Sequence, residues 1–296
     1  MHVPNRYRTL GQTGASVFEV GFGTWPIGGM NSGWGYGETD DTSSLRALST
    51  SLHLGCNFFD TADCYGNGHS EKLLGQALRS QRSNVLIATK VGFDFYHGFS
   101  QQNYHPAYIR FAVHQSLKRL ATDYIDLLQL HNPPPDALAQ QEIQEVMEAL
   151  RNEGKVRWLG VSAATVQEGV RALDAAWLQT IQVPFHLLAP EAEYLLFPIA
   201  VARNIGIIAR EPLANGLLTG KYRNVTNFPP GDIRGSWPLE VLQAFTAGAE
   251  SLRPYCREGE SMAQLALRFV LQSRAVSVAI CGCKTAEQVQ ENFKAP

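Results

Sequence analysis

Four side chains capable of acid–base chemistry lie at or just after the ends of three short apolar segments. Asp60 ends "NFFD", and Tyr65 follows it in "FFDTADCYGNGHSE". Lys90 ends "VLIATK", and His131 directly follows "YIDLLQL". Adjacent strands of a sheet lie about 4.8 Å apart. If these segments are neighbouring parallel strands, the residues that end them meet at one edge of the sheet.

These residue types together suit proton donation to a carbonyl oxygen. A free tyrosine has a pKa near 10 and is a weak acid at neutral pH. A neighbouring ammonium is expected to lower that pKa because it stabilises the phenolate. A carboxylate would hold the ammonium in place, and an imidazole could orient a carbonyl group or relay a proton.

Each of the four residues also has a purely structural interpretation. Asp60 could cap the following helix, and Lys90 could extend its charge to the rim over a buried aliphatic stem. Tyr65 could be a packing residue with an exposed hydroxyl, and His131, which precedes prolines, could be a turn residue. The occurrence of an acid, a phenol, an amine and an imidazole on consecutive segment ends favours the chemical interpretation.

The elements that must position these residues alternate along the chain. Eight apolar segments have the length and composition of strands: 17–24, 57–60, 85–90, 124–130, 156–162, 180–185, 205–211 and 276–282. Eight segments with helical periodicity alternate with them: 41–55, 70–80, 105–120, 140–154, 165–174, 190–204, 239–272 and 286–293. This order predicts a parallel α/β protein. No linker divides the chain, and no GxGxxG follows an early strand, so a doubly wound dinucleotide fold is disfavoured.

We therefore expect residues 1–296 to form a single (β/α)8 TIM barrel, a fold of about 250 residues with its active site at the C-terminal ends of the strands. The net charge of −2 disfavours a nucleic-acid or anionic-membrane partner. No apolar run approaches the roughly 18 residues of a membrane span, and the N-terminus lacks a signal-peptide pattern. Five sparse cysteines indicate reduced thiols and a cytoplasmic location. Cys281 and Cys283, without a second pair, do not suggest a structural zinc site.

Six segments, in order, resemble the aldo-keto reductase family: "LGQTGASV", "FFDTADCYGNGHSE", "ATKVG", "SLKRLATDYIDLLQLHNP", "GKVRWLGVS" and "PLANGLLTGKY". The resemblance covers nearly the whole chain and is to the branch that includes bacterial aldo/keto reductases and potassium-channel β subunits. It implies a (β/α)8 barrel, NADPH as the cofactor without a metal, and a catalytic tetrad of Asp60, Tyr65, Lys90 and His131.

The function that this resemblance implies is NADPH-dependent reduction of an aldehyde or ketone to an alcohol, with Tyr65 as the general acid and a small-molecule carbonyl compound as the substrate. A monomer or weak homo-oligomer is expected. The alternative is an NADPH-binding regulatory or interaction subunit with little turnover. A phosphosugar enzyme on the same barrel would instead need a glycine-rich phosphate loop late in the chain, without the tetrad.

The resemblance also assigns residues that would bind the cofactor, in groups along the dinucleotide. Ser162 and Gln182 would hold the carboxamide, with Ala163 in place of the usual asparagine, and Arg210 would stack on the nicotinamide. The resemblance places Leu213, Asn215, Gly216 and Lys221 at the pyrophosphate, Gly282 and Lys284 at the 2′-phosphate, and Gln288, Glu291 and Asn292 at the adenine and its ribose. The other expected cofactor contacts are Thr24, Trp25, Asp60 and Pro212.

Aromatic residues near the expected active site predict the substrate pocket. Its candidate residues are Trp25, Trp34, Tyr65, Phe93, Tyr96 and His131. Such a lining suits apolar or aromatic carbonyl compounds. An aromatic group of this kind could equally be packing at the top of the barrel.

Overall fold

A computed structural model describes residues 6–31, 35–96, 100–223 and 227–294. Two short antiparallel pairs are β1 (Tyr7–Thr9) with β2 (Ser16–Phe18), and β6 (Phe93–Asp94) with β7 (Gln101–Gln102). The barrel strands are β3 (Val20–Gly23), β4 (Phe58–Asp60), β5 (Leu86–Val91), β8 (Ile125–His131), β9 (Val156–Ser162), β10 (Thr180–Pro184), β11 (Gly206–Arg210) and β12 (Val276–Gly282). These eight strands pair in parallel, in chain order, and close on each other where β12 meets β3.

Helices connect the strands and surround the barrel. They are α1 (Asp41–His53), α2 (His69–Leu78), α3 (Pro106–Leu120), α4 (Pro135–Leu138), α5 (Gln141–Asn152), α6 (Val166–Ala172), α7 (Ala192–Leu195), α8 (Phe197–Ala202), α9 (Leu239–Ser251), α10 (Met262–Gln272) and α11 (Ala286–Asn292). The predicted (β/α)8 TIM barrel is therefore confirmed. Within the described ranges, every helix is too short or too polar to cross a lipid bilayer.

The barrel strands are apolar on both faces because helices cover the outside and side chains fill the inside. Every residue of β8 is buried. Side chains alternate along a strand, so Phe58 and Ala88 point into the barrel, where they share a cluster with Leu127. Two residues further on, the same face carries Asp60, Lys90 and Gln129. The interior therefore changes from apolar to polar towards the C-terminal ends of the strands.

The prediction of one strand at 17–24 is wrong, because this segment contains the end of β2 and all of β3. β2 pairs with β1 in a hairpin, whereas β3 joins the barrel. Glu19 separates the two strands and accepts from Arg6 and Arg8 at 2.7 and 3.3 Å. From the hairpin, Leu10 and Val17 are fully buried in the interior cluster. The hairpin thus closes the end of the barrel opposite the polar strand ends.

Two long predicted helices are each broken into two in the structure. The region 190–204 contains the short helices α7 and α8, with Pro198 in the first turn of α8. The region 239–272 contains α9 and α10, separated by a segment with Pro254 and with Gly259 at a φ of 75°. Proline cannot donate the helical hydrogen bond, and a positive φ favours glycine. The other predicted strands and helices agree with the structure to within a few residues.

Candidate active site

Neighbouring strands bring the predicted acid–base residues to one end of the barrel. β4 pairs with β5, and β5 pairs with β8. Asp60, Lys90 and His131 therefore lie on three adjacent strands, and Tyr65 lies in the loop that follows β4. Three of the four are buried, since Asp60 is 1% exposed, Lys90 0% and His131 8%, whereas Tyr65 is half-buried.

The Lys90 ammonium is the centre of this group. Its Nζ donates to Asp60 Oδ1 at 2.5 Å, to the carbonyl oxygen of Thr61 at 2.8 Å and to Tyr65 Oη at 3.1 Å. An ammonium has three N–H donors, and each has a partner here. Lys90 is therefore fixed in position, and it holds the Tyr65 hydroxyl towards the end of the barrel.

Asp60 is held by amide groups as well as by Lys90. Its Oδ2 accepts from Gln182 Nε2 at 2.7 Å and from Gln129 Nε2 at 3.1 Å. Ser162 donates its hydroxyl to Gln182 Oε1 at 3.2 Å. The residues predicted to hold a carboxamide thus form part of a buried polar layer around Asp60. Gln129 belongs to this layer and was missed in the sequence analysis, although it lies two residues before His131 and so faces the same side.

Burial changes the acidity of the two central groups. Desolvation raises the pKa of Tyr65 above its usual value of 10, and the nearby Lys90 charge offsets only part of this rise. Burial also acts to lower the pKa of Lys90, but Asp60 and Tyr65 more than offset it, so that pKa is raised. Lys90 acts to lower the pKa of Tyr65, as expected, but desolvation outweighs this effect, so the pKa of Tyr65 is raised and not lowered. Tyr65 is a neutral phenol and Lys90 a cation at neutral pH.

A close contact between two loops places an aromatic ring over Tyr65. A Cβ atom on Gly66, whose φ is +58°, would lie 1.9 Å from the carbonyl oxygen of Gly28. Because only glycine permits this approach, the loop after β4 packs directly on the loop after β3. Trp25 then stacks on Tyr65 with ring centroids 5.6 Å apart.

Thr24, at the end of β3, supports the same strand ends. Its Oγ1 donates to the carbonyl oxygen of Asp60 at 3.0 Å and accepts from Ser70 Oγ at 2.6 Å. The hydroxyl is fully buried. Thr24, predicted as a cofactor contact, therefore also joins β3 to β4.

His131 completes the group from β8. Its ring meets the edges or faces of Tyr65 and Phe93 at centroid distances of 5.9 and 4.9 Å. Burial, followed by the charges of Lys90 and Arg210, holds the pKa of His131 well below its usual range. The imidazole is therefore neutral at physiological pH. Its Nδ1 lies 3.6 Å from Cys64 Sγ, a contact that was not foreseen.

One predicted substrate residue, Tyr96, is not brought to this group, and another, Trp34, lies outside the described residues. The Tyr96 ring stacks on Phe95 and meets the edge of Phe111, while its hydroxyl accepts from Arg119 Nη1 at 2.7 Å. These contacts direct Tyr96 towards α3. Among the described aromatic candidates, Trp25 contacts Tyr65 and Phe93 contacts His131.

Arg210 ends β11 on the other side of the barrel mouth. Its Nη2 donates to the carbonyl oxygen of Ala164 at 2.8 Å, and its Nη1 donates to Asn132 Oδ1 at 3.5 Å. Its Nε lies 3.4 Å from Glu211 Oε1, but the geometry is not that of a hydrogen bond, and this buried nitrogen has no hydrogen-bond partner among the described residues. The two Nη atoms therefore fix the guanidinium plane, while the buried Nε–H has no hydrogen-bond acceptor among the described residues.

The loop after β11 has an unusual run of left-handed backbone. Ala214, Asn215 and Gly216 have φ angles of 46°, 54° and 87°. Pro212 and Leu213, before them, are buried. Asn215 accepts a hydrogen bond from the Tyr36 hydroxyl, and its carbonyl oxygen accepts from Arg234 Nη1 at 3.0 Å. The N–H groups of Ala214 and Gly216 donate to the carbonyl oxygens of Glu211 and Leu213 at 2.8 and 2.9 Å, so this run forms an internally hydrogen-bonded turn.

The Lys284 side chain crosses to the loop between β3 and α1. Its Nζ donates to the carbonyl oxygens of Tyr36 at 2.6 Å, Gly37 at 3.3 Å and Glu38 at 3.0 Å. Burial lowers the pKa of Lys284. The charge of Asp232 acts to raise it, whereas the charges of Arg234 and Lys221 act to lower it further. Lys221, Arg234 and Lys284 therefore lie close enough to interact. Arg234 was missed because its segment has no regular periodicity.

Of the residues predicted to bind the adenosine, Gln288 and Glu291 are exposed on α11, whereas Asn292 is buried. Gln288 accepts from the Lys284 backbone N–H at 2.7 Å. Asn292 is 4% exposed and donates to Cys283 Sγ at 3.3 Å, so its amide already has a partner inside the protein. Gly282, at the end of β12, packs against Pro26, because a Cβ there would lie 2.6 Å from Pro26 Cγ.

Comparison with known proteins finds relatives that match over nearly the whole chain. "Aldo-keto reductase YhdN" of Bacillus subtilis (strain 168) is 33% identical over 291 residues, covering 96% of this chain and 86% of that protein. The structure of "aldo-keto reductase AKR11C1 from Bacillus halodurans (holo form)" superposes with a TM-score of 0.82 at 30% identity, covering 98% of this chain and 90% of that one. An aldo/keto reductase from Klebsiella pneumoniae, solved "in complex with NADP and acetate", gives a TM-score of 0.70 at 29% identity, covering 98% and 89%.

The family model described as "Aldo/keto reductase family" matches residues 19–296. The match begins at the residue before β3, and so takes in all eight barrel strands with the buried group of Asp60, Tyr65, Lys90 and His131. This chain belongs to the aldo/keto reductase family.

Proposed function

We propose that this protein is an NADP-dependent oxidoreductase that reduces an aldehyde or ketone to the alcohol, with Tyr65 as the general acid. The observation that carries the proposal is the buried set of contacts at the strand ends, in which Lys90 Nζ lies 2.5 Å from Asp60 Oδ1 and 3.1 Å from Tyr65 Oη. When bound, the cofactor supplies the hydride that adds to the carbonyl carbon. The protein must then supply a proton to the carbonyl oxygen.

Tyr65 suits this role because it is a neutral phenol next to a fixed cation. As negative charge develops on the substrate oxygen, the phenol transfers its proton and becomes a phenolate. The Lys90 ammonium, already 3.1 Å away, stabilises that phenolate without rearrangement, as preorganised electrostatic catalysis requires. Asp60 keeps the ammonium charged and oriented. Lys90 therefore acts when the phenolate forms, even though it does not lower the resting pKa of Tyr65 below 10.

His131 is placed to orient the substrate. Its ring lies beside that of Tyr65, and as a neutral imidazole it can donate one N–H bond to a carbonyl oxygen. Trp25 and Phe93 flank the same region and offer apolar walls. This lining favours aldehydes and ketones with apolar or aromatic substituents.

The residues around the barrel mouth fit a phosphorylated dinucleotide. Arg210 presents a planar guanidinium with one unsatisfied donor where a nicotinamide ring would stack. The turn from Leu213 to Gly216, at the barrel mouth after β11, would lie against the pyrophosphate. Lys221, Arg234 and Lys284 would offset phosphate charge, although Arg234 is also ion-paired with Asp232 at 2.6 Å. Gln182 would have to share its amide between Asp60 and the cofactor.

The direct test is the oxidation of NADPH in the presence of a panel of aldehydes, ketones and sugars. We expect turnover with aldehydes or ketones, and the highest kcat/KM for apolar or aromatic members. Tight NADPH binding without turnover of any carbonyl compound would contradict the proposal. That result would instead favour the alternative of a cofactor-binding regulatory or interaction subunit.

A further inference from the structure

The thiol of Cys64 lies against the imidazole of His131. Its Sγ is 3.6 Å from Nδ1, a normal separation for a hydrogen bond that involves sulfur. The backbone on either side is fixed, since the Asp63 N–H donates to the Lys90 carbonyl oxygen at 3.1 Å and the Tyr65 N–H donates to the Ala62 carbonyl oxygen at 3.2 Å. The thiol is therefore held in place next to the ring by the same short loop that carries Tyr65.

The surroundings of the ring leave Cys64 as the group that can select its tautomer. The charged groups that act on His131 are Lys90 and Arg210, and both are donors that cannot accept a proton. Its other close neighbours are the rings of Tyr65 and Phe93. Among the described residues, no carboxylate or carbonyl oxygen hydrogen-bonds to the ring. Nδ1 thus has the thiol as its partner.

The direction of this hydrogen bond follows from the chemistry of its two partners. Burial, together with the charge of Asp63, raises the pKa of Cys64 well above its usual value, so the sulfur keeps its proton. A thiol sulfur is a weak acceptor, whereas an unprotonated imidazole nitrogen is a good one. The favourable arrangement has S–H donating to Nδ1, and the single proton of the neutral ring then resides on Nε2.

We propose that Cys64 is a positioning residue that holds His131 in the tautomer with its proton on Nε2. The proposal rests on the proposed carbonyl reduction: Nε2–H would donate to the same carbonyl oxygen that Tyr65 protonates. In the other tautomer, Nε2 would present a lone pair to that oxygen and repel it. Cys64 would therefore govern substrate orientation without touching the substrate.

The tautomer can be measured directly, without any substrate. Nitrogen-15 NMR of histidine-labelled protein, at a pH where His131 is neutral, shows which ring nitrogen carries the proton. We expect one tautomer, with the proton on Nε2, in the wild type. Cys64→Ala should give a mixture of tautomers, and Cys64→Ser, which keeps a hydroxyl donor, should restore the Nε2–H form. His131→Gln identifies the signals.

Kinetics give a second, independent measurement. Loss of one neutral hydrogen bond, worth about 0.5–1.5 kcal/mol, corresponds to roughly a two- to tenfold fall at about 1.4 kcal/mol per tenfold. We expect Cys64→Ala to lower kcat/KM by this factor and Cys64→Ser to recover part of it, with NADPH affinity unchanged. Cys256→Ala is the matched control, since Cys256 is also half-buried but its Sγ contacts Met262 Sδ.

The outcomes separate this inference from the proposed function. A wild-type ring protonated on Nδ1, or an unchanged tautomer in Cys64→Ala, would overturn the role of Cys64 whether or not the protein reduces carbonyl compounds. A tautomer change in Cys64→Ala with no activity in any variant would support the positioning role and contradict the proposed reaction. A fall in kcat/KM that Cys64→Ser does not recover, with the tautomer unchanged, would assign Cys64 to packing alone.

Discussion

Single contacts around Lys90 decide what the candidate site can do. The ion pair between Lys90 and Asp60 is almost fully buried, and such pairs contribute little net stability because desolvation offsets their attraction. The amide groups of Gln129 and Gln182 satisfy the second oxygen of Asp60. This arrangement keeps a buried cation 3.1 Å from a phenol. Under the proposed reaction, its value is in the chemistry of Tyr65 and much less in folding.

The first prediction concerns the proton donor. Tyr65→Phe should lower the rate of carbonyl reduction by about 10²–10⁴, the usual contribution of general acid catalysis, and leave NADPH binding nearly unchanged. Steady-state turnover and fluorescence titration of NADPH measure the two effects. Tyr194→Phe, on an exposed tyrosine, is the control. Turnover close to that of the wild type, with a deuterium isotope effect showing that hydride transfer limits the rate, would exclude Tyr65 as the acid.

The second prediction is that Tyr65 and Lys90 act as one unit. Lys90→Met should slow reduction about as much as Tyr65→Phe, and the double variant should be little slower than either single variant, because residues that act together show non-additive losses. A double variant whose losses multiply would show independent roles. Because breaking a buried pair costs about 3–5 kcal/mol, Tm and NADPH binding of Lys90→Met must confirm that it is folded.

At the scale of elements, two loops meet across the mouth of the barrel. The loop between β3 and α1 and the loop between β11 and α9 are joined where the N–H of Ile233 donates to the carbonyl oxygen of Gly35 at 2.9 Å and where the Tyr36 hydroxyl donates to Asn215. Lys284, after β12, donates to the first loop as well. Of these residues, Asn215 and Lys284 were predicted to contact the phosphate groups of the cofactor. Cofactor binding and loop position are therefore expected to depend on each other.

The third prediction separates these two roles of Lys284. If its ammonium binds the 2′-phosphate, a charge-assisted hydrogen bond of about 1.5–3 kcal/mol is lost in Lys284→Ala, which weakens NADPH binding roughly ten- to hundredfold. NADH, which lacks that phosphate, should be weakened far less. Fluorescence titration of both cofactors measures this, and the difference should shrink at high salt.

Tyr36→Phe is the matched control for Lys284→Ala. It removes the hydrogen bond to Asn215 and so loosens the same loop without removing a positive charge. We expect it to affect NADPH and NADH equally. If Lys284→Ala also weakens the binding of NADPH and NADH by the same factor, Lys284 supports the loop and does not bind the 2′-phosphate.

At the scale of the whole molecule, one buried carboxyl group opposes folding at neutral pH. Asp63 is fully buried, and neither of its oxygens has a hydrogen-bond partner among the described residues. Burial, followed by the charge of Glu71, raises the pKa of Asp63 well above its usual value, against the opposing charges of Arg119 and Lys90. The stability that Asp63 contributes is therefore fully present below its unfolded pKa of about 4 and is lost as the pH rises through its folded pKa.

The fourth prediction follows from that sign. Asp63→Asn, which has nearly the shape of the protonated acid and cannot ionise, should be more stable than the wild type at pH 8, and the advantage should shrink as the pH falls towards 4. Thermal unfolding measures it, at roughly 2–4 °C of Tm per kcal/mol. The exposed Asp123, changed to Asn, is the control. A variant less stable than the wild type at pH 8, with a deficit that shrinks as the pH falls, would show that Asp63 is ionised and paired in solution.

The sequence by itself determined the barrel and most of its element bounds. Apolar runs and helical periodicity are local, so seven of the eight predicted strands agree with the structure to within a few residues. The exception, 17–24, failed because a hairpin strand and a barrel strand adjoin at Glu19 with no turn signal between them. The positions of Asp60, Lys90 and His131 at the ends of apolar segments also predicted that they lie together. In a parallel sheet, the residues at the C-terminal ends of neighbouring strands lie at the same edge.

Only the tertiary structure decided which side chains meet and in what protonation state. Gln129, Arg234 and Cys64 join the site through contacts between segments far apart in the chain, which no local pattern reveals. Whether the pKa of Tyr65 is raised or lowered depends on how far its hydroxyl is desolvated. Desolvation follows from the packing around the side chain and not from the residue type. Likewise, Tyr96 is aromatic and close in sequence to Phe93, yet its hydroxyl contacts Arg119, because strand and loop geometry set the direction of each side chain.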